Sequence, residues 1–223
     1  MQKNVEKNMA NDIKALVFDM DGVLLDTESM SDKTWAMAAK DFNVTVTEED
    51  LNKCRGSNKS DIIMILKGIY GNDFDAENFL CATGKYFHEL EFSSGIPLMH
   101  YAKEILEYLK PKYHLALASS TSGPTVERQL RNAGLIDFFE KRITGDMVLH
   151  SKPDPEIYTM ACSSINVAPA NCLAIEDSPN GIRSASAAGM KVIMVPDRIK
   201  PTAELEKLCW KILPSLEDLR SVL

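Results

Sequence analysis

Apolar residues follow two rhythms along this chain. Four short runs are continuous: Ala15-Leu16-Val17-Phe18, Leu115-Ala116-Leu117-Ala118, Leu173-Ala174-Ile175 and Val192-Ile193-Met194-Val195. Continuous runs without alternation predict strands buried on both faces, as in a parallel sheet covered by helices. Between them lie stretches with helical spacing. TVERQLRNAGL sets Val126, Leu130 and Ala133 on one face and stops at Gly134. PDPEIYTMACSSI opens on proline and aligns Ile157, Met160, Ala161 and Ile165. SPNGIRSASAAGM carries Ile182, Ala185 and Ala188 and closes at Gly189. Strands alternating with helices of this length predict an α/β fold, a doubly wound parallel sheet of the Rossmann-like kind.

From about Thr27 to Ser94 the rhythm breaks. ESMSDKTWAMAAKDF, TEEDLNKC, SDIIMILKGIY and AENFLCATGKYFHEL all read as helices, with no buried-strand run among them. The expected organisation is a core domain over 12–27 and 95–223, a small inserted all-helical cap domain over 28–94, and a flexible polar leader over 1–11. Hinges are expected near Asp26-Thr27-Glu28 and Ser93-Ser94-Gly95-Ile96-Pro97. Trp35 and Met37 read as core residues of the helical insertion.

Composition narrows the function classes. A net charge of -7 argues against nucleic acid or an anionic membrane surface as the main partner. No apolar run approaches the roughly 20 residues of a membrane span, and the first residues lack the apolar core of a secretory signal. The five cysteines, Cys54, Cys81, Cys162, Cys172 and Cys209, lie far apart with no C-x-x-C, which implies reduced thiols and a cytoplasmic location. His88, His100, His114 and His150 form no recognisable ligand set, so zinc chemistry is not expected. A monomer is the default expectation.

The apolar runs end in unusual residues. Asp19 and Asp21, one residue apart and followed by Gly22, close the first run; Ser119 and Ser120 close the second; Glu176 and Asp177 close the third. Ligands of doubly wound sheets bind at these carboxyl ends. Each residue also has a bland explanation. Asp177 could cap the helix that begins near Ser178-Pro179. Ser119 could belong to turn chemistry, Lys152 could be a surface lysine, and Glu176 an outward-facing charge. Their joint placement favours a functional reading.

In order along the chain, Asp19-x-Asp21-Gly22, the serine after Leu115-Ala116-Leu117-Ala118, Lys152-Pro153-x-Pro155 and Glu176-Asp177-Ser178-x-x-Gly181 resemble the signatures of haloacid-dehalogenase-type phosphotransferases. The branch is the one with a small helical cap after the first strand, near β-phosphoglucomutases and sugar-phosphate phosphatases. The resemblance implies Asp19 as nucleophile, Asp21 as acid and base, and Lys152 as the balancing cation. It implies a Mg2+ ion on Asp19, Asp177, the main-chain carbonyl of Asp21 and Glu176. Ser119, Ser120 and Gly22 would face the phosphate. The charges agree with that chemistry. Four ionised acids sum to -4, and Mg2+ with Lys152 return +3, so a phosphate dianion needs Asp21 protonated and backbone amides near Met20 and Ser120.

Asp21 favours oxygen esters of phosphate, because the dehalogenases and phosphonoacetaldehyde hydrolases of the same family lack an acid there. β-Phosphoglucomutases carry a histidine on the first cap helix where this chain has Ser31, or Met30 on a slipped alignment, and an arginine in a cap loop. The loop Cys54-Arg55-Gly56-Ser57-Asn58-Lys59 offers Lys59 at that place and Arg55 nearby as substrate contacts, with a solvated connection ending at Gly56 as the alternative. The expectation is a Mg2+-dependent phosphatase of a small phosphorylated metabolite, with β-phosphoglucomutase as the alternative. A non-catalytic binding protein on the same fold is the alternative outside this class. A receiver domain is too short and lacks the insertion.

Overall fold

The computed structural model describes residues 12–55, 57 and 59–223; the expected leader and the stop at Gly56 lie outside them. The chain divides into two compact units, one formed by residues up to Asp26 with Pro97–Leu223, the other by Thr27–Ile96.

The first unit is built on a six-stranded, wholly parallel sheet. Its strands are β1 (Ala15–Phe18), β2 (His114–Ser119), β3 (Lys141–Thr144), β4 (Cys172–Glu176), β5 (Lys191–Met194) and β6 (Lys211–Ile212), in the order β3-β2-β1-β4-β5-β6. Every residue of β1 is buried, as continuous apolar runs require in a sheet covered on both faces. β3 and β6 were not foreseen from hydrophobicity. They are the two edges, and the polar Lys141-Arg142 and the two-residue length of β6 suit edge positions that resist further pairing.

Register sets the site. Phe18 pairs with Leu117 on one side and Ile175 on the other. Asp19, the next residue, therefore lies level with Ala118 and Glu176, and its amide donates to the Ile175 carbonyl at 3.0 Å. Chain order reverses about β1, which leaves a crevice outside the carboxyl ends of β1 and β4.

Helices α5 (Ala102–Leu109), α6 (Gly123–Asn132), α7 (Glu156–Ser164), α8 (Pro179–Ala187) and α9 (Ala203–Leu208) belong to the same unit. On α7 the buried face carries Ile157, Tyr158, Ala161 and Cys162, while Met160, expected to be inward, is exposed. The inward turn of Tyr158 matters below. At the start of α8, Ser178 caps the helix by accepting from the Gly181 amide, and Pro179 occupies the first turn.

The second unit is all-helical: α1 (Thr27–Asp41), α2 (Glu48–Cys54), α3 (Lys59–Tyr70) and α4 (Ala76–Ser94). Thr47 and Asp50 form a reciprocal capping box at the start of α2. The core is aromatic, with Phe79 edge-on to Trp35 at 5.3 Å and to Phe42 at 5.5 Å between ring centroids. Met37 is only half-buried. Among the described residues, no helix is long and apolar enough to cross a membrane.

Candidate active site

Three separate segments bring acids and one lysine together at the carboxyl ends of β1 and β4. Lys152 is 93% buried at its side chain. Its Nζ donates to Asp19 Oδ1 at 2.7 Å, to Glu176 Oε1 at 2.7 Å and to the Ala118 carbonyl at 3.1 Å. A lysine taken this far from water needs charged partners, and it has two. Tyr158 sits beside them, its ring under the ammonium at 4.9 Å and its hydroxyl donating to Glu176 Oε1 at 2.8 Å.

Glu176 is fully buried, and five donors surround its carboxylate. Besides Lys152 and Tyr158 on Oε1, Oε2 accepts from the amides of Asp177 and Ser178 at 3.1 Å and from Ser178 Oγ at 2.9 Å. A carboxylate has about four acceptor sites, so this one is saturated. Gly181 must be glycine for the same reason, because a Cβ there would collide with Glu176 Oε1. Glu176 thus aims Lys152 and shapes the turn into α8, while its oxygens stay within the group of acids that could hold a metal.

Oxygens of Asp19, Glu176 and Asp177 lie within 4.8 Å of one another. With Glu176 saturated, Asp19 and Asp177 are the pair whose oxygens suit a hard divalent ion. The side chain of Asp21 does not belong to this group. It turns toward β2, where Thr121 Oγ1 donates to its Oδ2 at 3.0 Å and Ser119 Oγ reaches the same atom at 3.5 Å.

Gly22, expected to face the substrate, has a different duty. Its amide donates to the Leu25 carbonyl at 2.9 Å, closing the loop after β1. Its φ is +74°, and a Cβ would come within 2.5 Å of Asp177 Oδ2. The glycine therefore clears space for Asp177. Ser119 is fully buried at the end of β2, whereas Ser120 is exposed.

Burial pushes the Asp19 carboxyl up to about 7. Lys152 pulls it down, and Glu176 and Asp21 push it up again. Glu176 goes the other way: burial opposes its charge, but Lys152 and the surrounding donors hold it below the usual carboxylate range. The lysine stays firmly protonated because its two acids outweigh the loss of water. An acid held at the edge of ionisation, next to an oxygen pair of the right spacing, suits a site built for a divalent cation.

The two residues expected from the helical unit differ in their surroundings. Arg55 is bound to Asp32 through two bonds of 2.9 Å and to Glu48 at 2.7 Å. Its guanidinium is thereby committed to holding the end of α2 against α1. Lys59 opens α3 and is exposed. His150, against expectation, does meet acids, Asp154 and Glu156. Glu156, however, accepts from the amides of Leu149 and His150, so the cluster ties down its own loop. Sequence reasoning missed Tyr158 and Thr121. The helical spacing of α7 could have flagged the tyrosine as buried; nothing in the sequence pointed Thr121 at Asp21.

Known proteins resemble this chain over most of its length. The sequence profile of the haloacid dehalogenase-like hydrolases matches residues 16–195. A phosphorylated carbohydrates phosphatase of Thermotoga maritima is 33% identical over 185 residues, covering 81% of this chain and 84% of that one. Among solved structures, a Thermotoga maritima protein described as a candidate β-phosphoglucomutase superposes with a TM-score of 0.79 at 29% identity, covering 95% of this chain and all of that one. The phosphate complex of CbbY from Rhodobacter sphaeroides gives 0.73 at 28%, covering 93% and 96%. The chain belongs to the haloacid dehalogenase-like hydrolase family, in its β-phosphoglucomutase-like branch of phosphoric monoester hydrolases.

Proposed function

We propose that the chain is a Mg2+-dependent phosphatase of a small phosphorylated metabolite, a sugar phosphate, working through an aspartyl phosphate on Asp19. The observation that carries this reading is the meeting of Asp19 and Asp177, 158 positions apart in the chain, within 4.8 Å beside a buried lysine. A metal would be held by Asp19, Asp177 and the Asp21 main-chain carbonyl. Bound there, it would neutralise phosphoryl oxygens and favour the ionised nucleophile.

The protein groups divide the rest. Lys152 fixes Asp19 through Oδ1 and adds positive charge where the phosphoryl oxygens gather. An Asp19 oxygen bonds to phosphorus as the ester P–O bond breaks, and Asp21 gives its proton to the departing alkoxide, which leaves as an alcohol. Asp21, now a carboxylate, takes a proton from water as the water oxygen bonds to phosphorus. The bond from Asp19 to phosphorus breaks, and inorganic phosphate and free Asp19 result. Ser119 supports the phosphate side of the site. The sugar-phosphate assignment draws on the Thermotoga phosphatase named for phosphorylated carbohydrates and on a CbbY structure in complex with xylulose-1,5-bisphosphate.

A panel of phosphorylated sugars and nucleotides tests the reading, with phosphate release and conversion of β-glucose 1-phosphate to glucose 6-phosphate followed in parallel. We expect phosphate release that needs Mg2+, with Asp19→Asn lowering turnover at least about 10⁴-fold, as for loss of a nucleophile. Isomerisation primed by a bisphosphate, without net phosphate release, would replace the phosphatase with the mutase. Ser31, in the place of the mutases' histidine, favours the phosphatase.

A further inference from the structure

Asp21, in the loop after β1, is held from the loop after a different strand. The hydroxyl of Thr121, two residues beyond β2, donates to Asp21 Oδ2 at 3.0 Å across 100 positions of sequence. Threonine hydroxyls in turns normally bond to their own neighbouring backbone. This one does not, and its own backbone is held on both sides. The Thr121 amide donates to Ser119 Oγ at 3.1 Å, and its carbonyl accepts from the Gly145 amide at 3.0 Å. Gly145 can approach only because it lacks a side chain, since a Cβ there would strike the Ser120 carbonyl. Ser119 in turn reaches Asp21 Oδ2, which closes a ring of contacts through Thr121, Ser119 and Asp21. With its backbone fixed and its side chain β-branched, Thr121 presents its hydroxyl in a narrow range of directions.

We propose that Thr121 is a positioning residue for the acid/base carboxyl: by holding one oxygen of Asp21 it sets the direction in which Asp21 meets the leaving group. This inference rests on the phosphatase reading above. A purely structural stitch between the loops after β1 and β2 would use the same bond, so the test must read the proton transfer and not only stability.

Two esters separate the roles. An alkyl phosphate needs a proton on its leaving oxygen, whereas p-nitrophenolate departs without one. In the full-length protein with Mg2+, Thr121→Val should lower kcat/KM for the best sugar phosphate about 10-fold, the size expected for a misaimed general acid. The same change should cost p-nitrophenyl phosphate less than about 3-fold, because only acid catalysis is affected. Thr121→Ser should restore the sugar phosphate to within about 2-fold, because the donor is kept. In an Asp21→Asn background, Thr121→Val should add nothing, because the partner it aims is already disabled. Equal losses on both esters, or a loss that persists in the Asp21→Asn background, would assign Thr121 a structural role and overturn the inference. An active wild type with an unaltered Thr121→Val would overturn it alone. A wild type inert toward both esters would overturn the phosphatase reading, and this inference with it.

Discussion

Each unit of this chain buries a cation between acids, and the two arrangements differ in balance. In the helical unit, Arg55 Nη2 donates to both oxygens of Asp32, and Nη1 reaches Glu48, whose side chain is mostly exposed. Burial works against the guanidinium charge, but the bonds to Glu48 and Asp32 outweigh it. In the sheet unit, Lys152 meets Asp19 and Glu176 with both acids buried, while Asp177 and Asp21 stand close by. One ammonium cannot neutralise that many carboxylates. The surplus falls on Asp19, the acid pushed up to about 7. A surplus acid that stays in water, as Glu48 does, leaves the buried cation to serve architecture, whereas surplus acids withdrawn from water are poised to take a ligand of the other sign.

Removing each cation should reveal that difference, and the largest effect is expected at the lysine. Lys152→Ala leaves Asp19 and Glu176 facing each other in a nearly dry site, the situation that costs ~3–5 kcal/mol when a buried pair is broken. Proton uptake by Asp19 will soften the penalty. Catalysis has no such relief, and kcat/KM should fall about 10³-fold through lost electrostatic stabilisation. Lys152→Arg should restore little, since a planar fork cannot replace a point charge among three acceptors. Steady-state rates and thermal melts of the two variants check this. Near-normal turnover in Lys152→Ala would make the lysine an ordinary structural cation like Arg55.

Arg55→Ala should act on the helical unit alone, lowering stability by about 1–3 kcal/mol for a mostly buried ion pair. Hydrogen exchange should quicken along α1 and α2, and Asp32→Asn should reproduce the effect without adding to it. If Arg55→Ala instead leaves exchange unchanged and raises KM, the arginine contacts substrate, as the family resemblance implied, and the contrast between the two cations weakens.

Much of this was legible in sequence because burial writes itself into composition. β1, β2, β4 and β5 are built on continuous apolar runs, and the residues at the ends of three of them carry the chemistry. The edge strands β3 and β6 carry lysines because an edge must discourage pairing, so no hydrophobic run announced them. The helices of the second unit were visible through their periodicity. Side-chain direction was less legible. Spacing placed Asp21 beside Asp19, but two residues along an extended segment cannot tell which oxygen faces which neighbour. Gly22 read as part of a phosphate loop, although its lack of a Cβ is required by Asp177, far away in sequence. Glu176 read as a ligand, yet five donors consume its acceptors, and three of those come from the turn that follows it.

The most direct probe of surplus charge is the pH dependence of stability. Without metal, the folded chain holds the Asp19 proton up to about pH 7, while the unfolded chain releases it near the ordinary aspartate value of 3.8. Between those points the native state binds more protons than the unfolded one, so the contribution of Asp19 to stability declines as pH rises through that window. Asparagine keeps the shape and has no such decline. A carboxyl raised that far would forfeit ~4 kcal/mol across the window, an upper bound because Lys152 and Glu176 share the titration. Metal-free Asp19→Asn should therefore melt above wild type at pH 8 and alongside it at pH 4, while Mg2+ should raise wild type more than the variant. An Asp19→Asn protein that melts at or below wild type at pH 8 would mean that Lys152 already neutralises Asp19, and that the two buried cations of this chain are balanced alike.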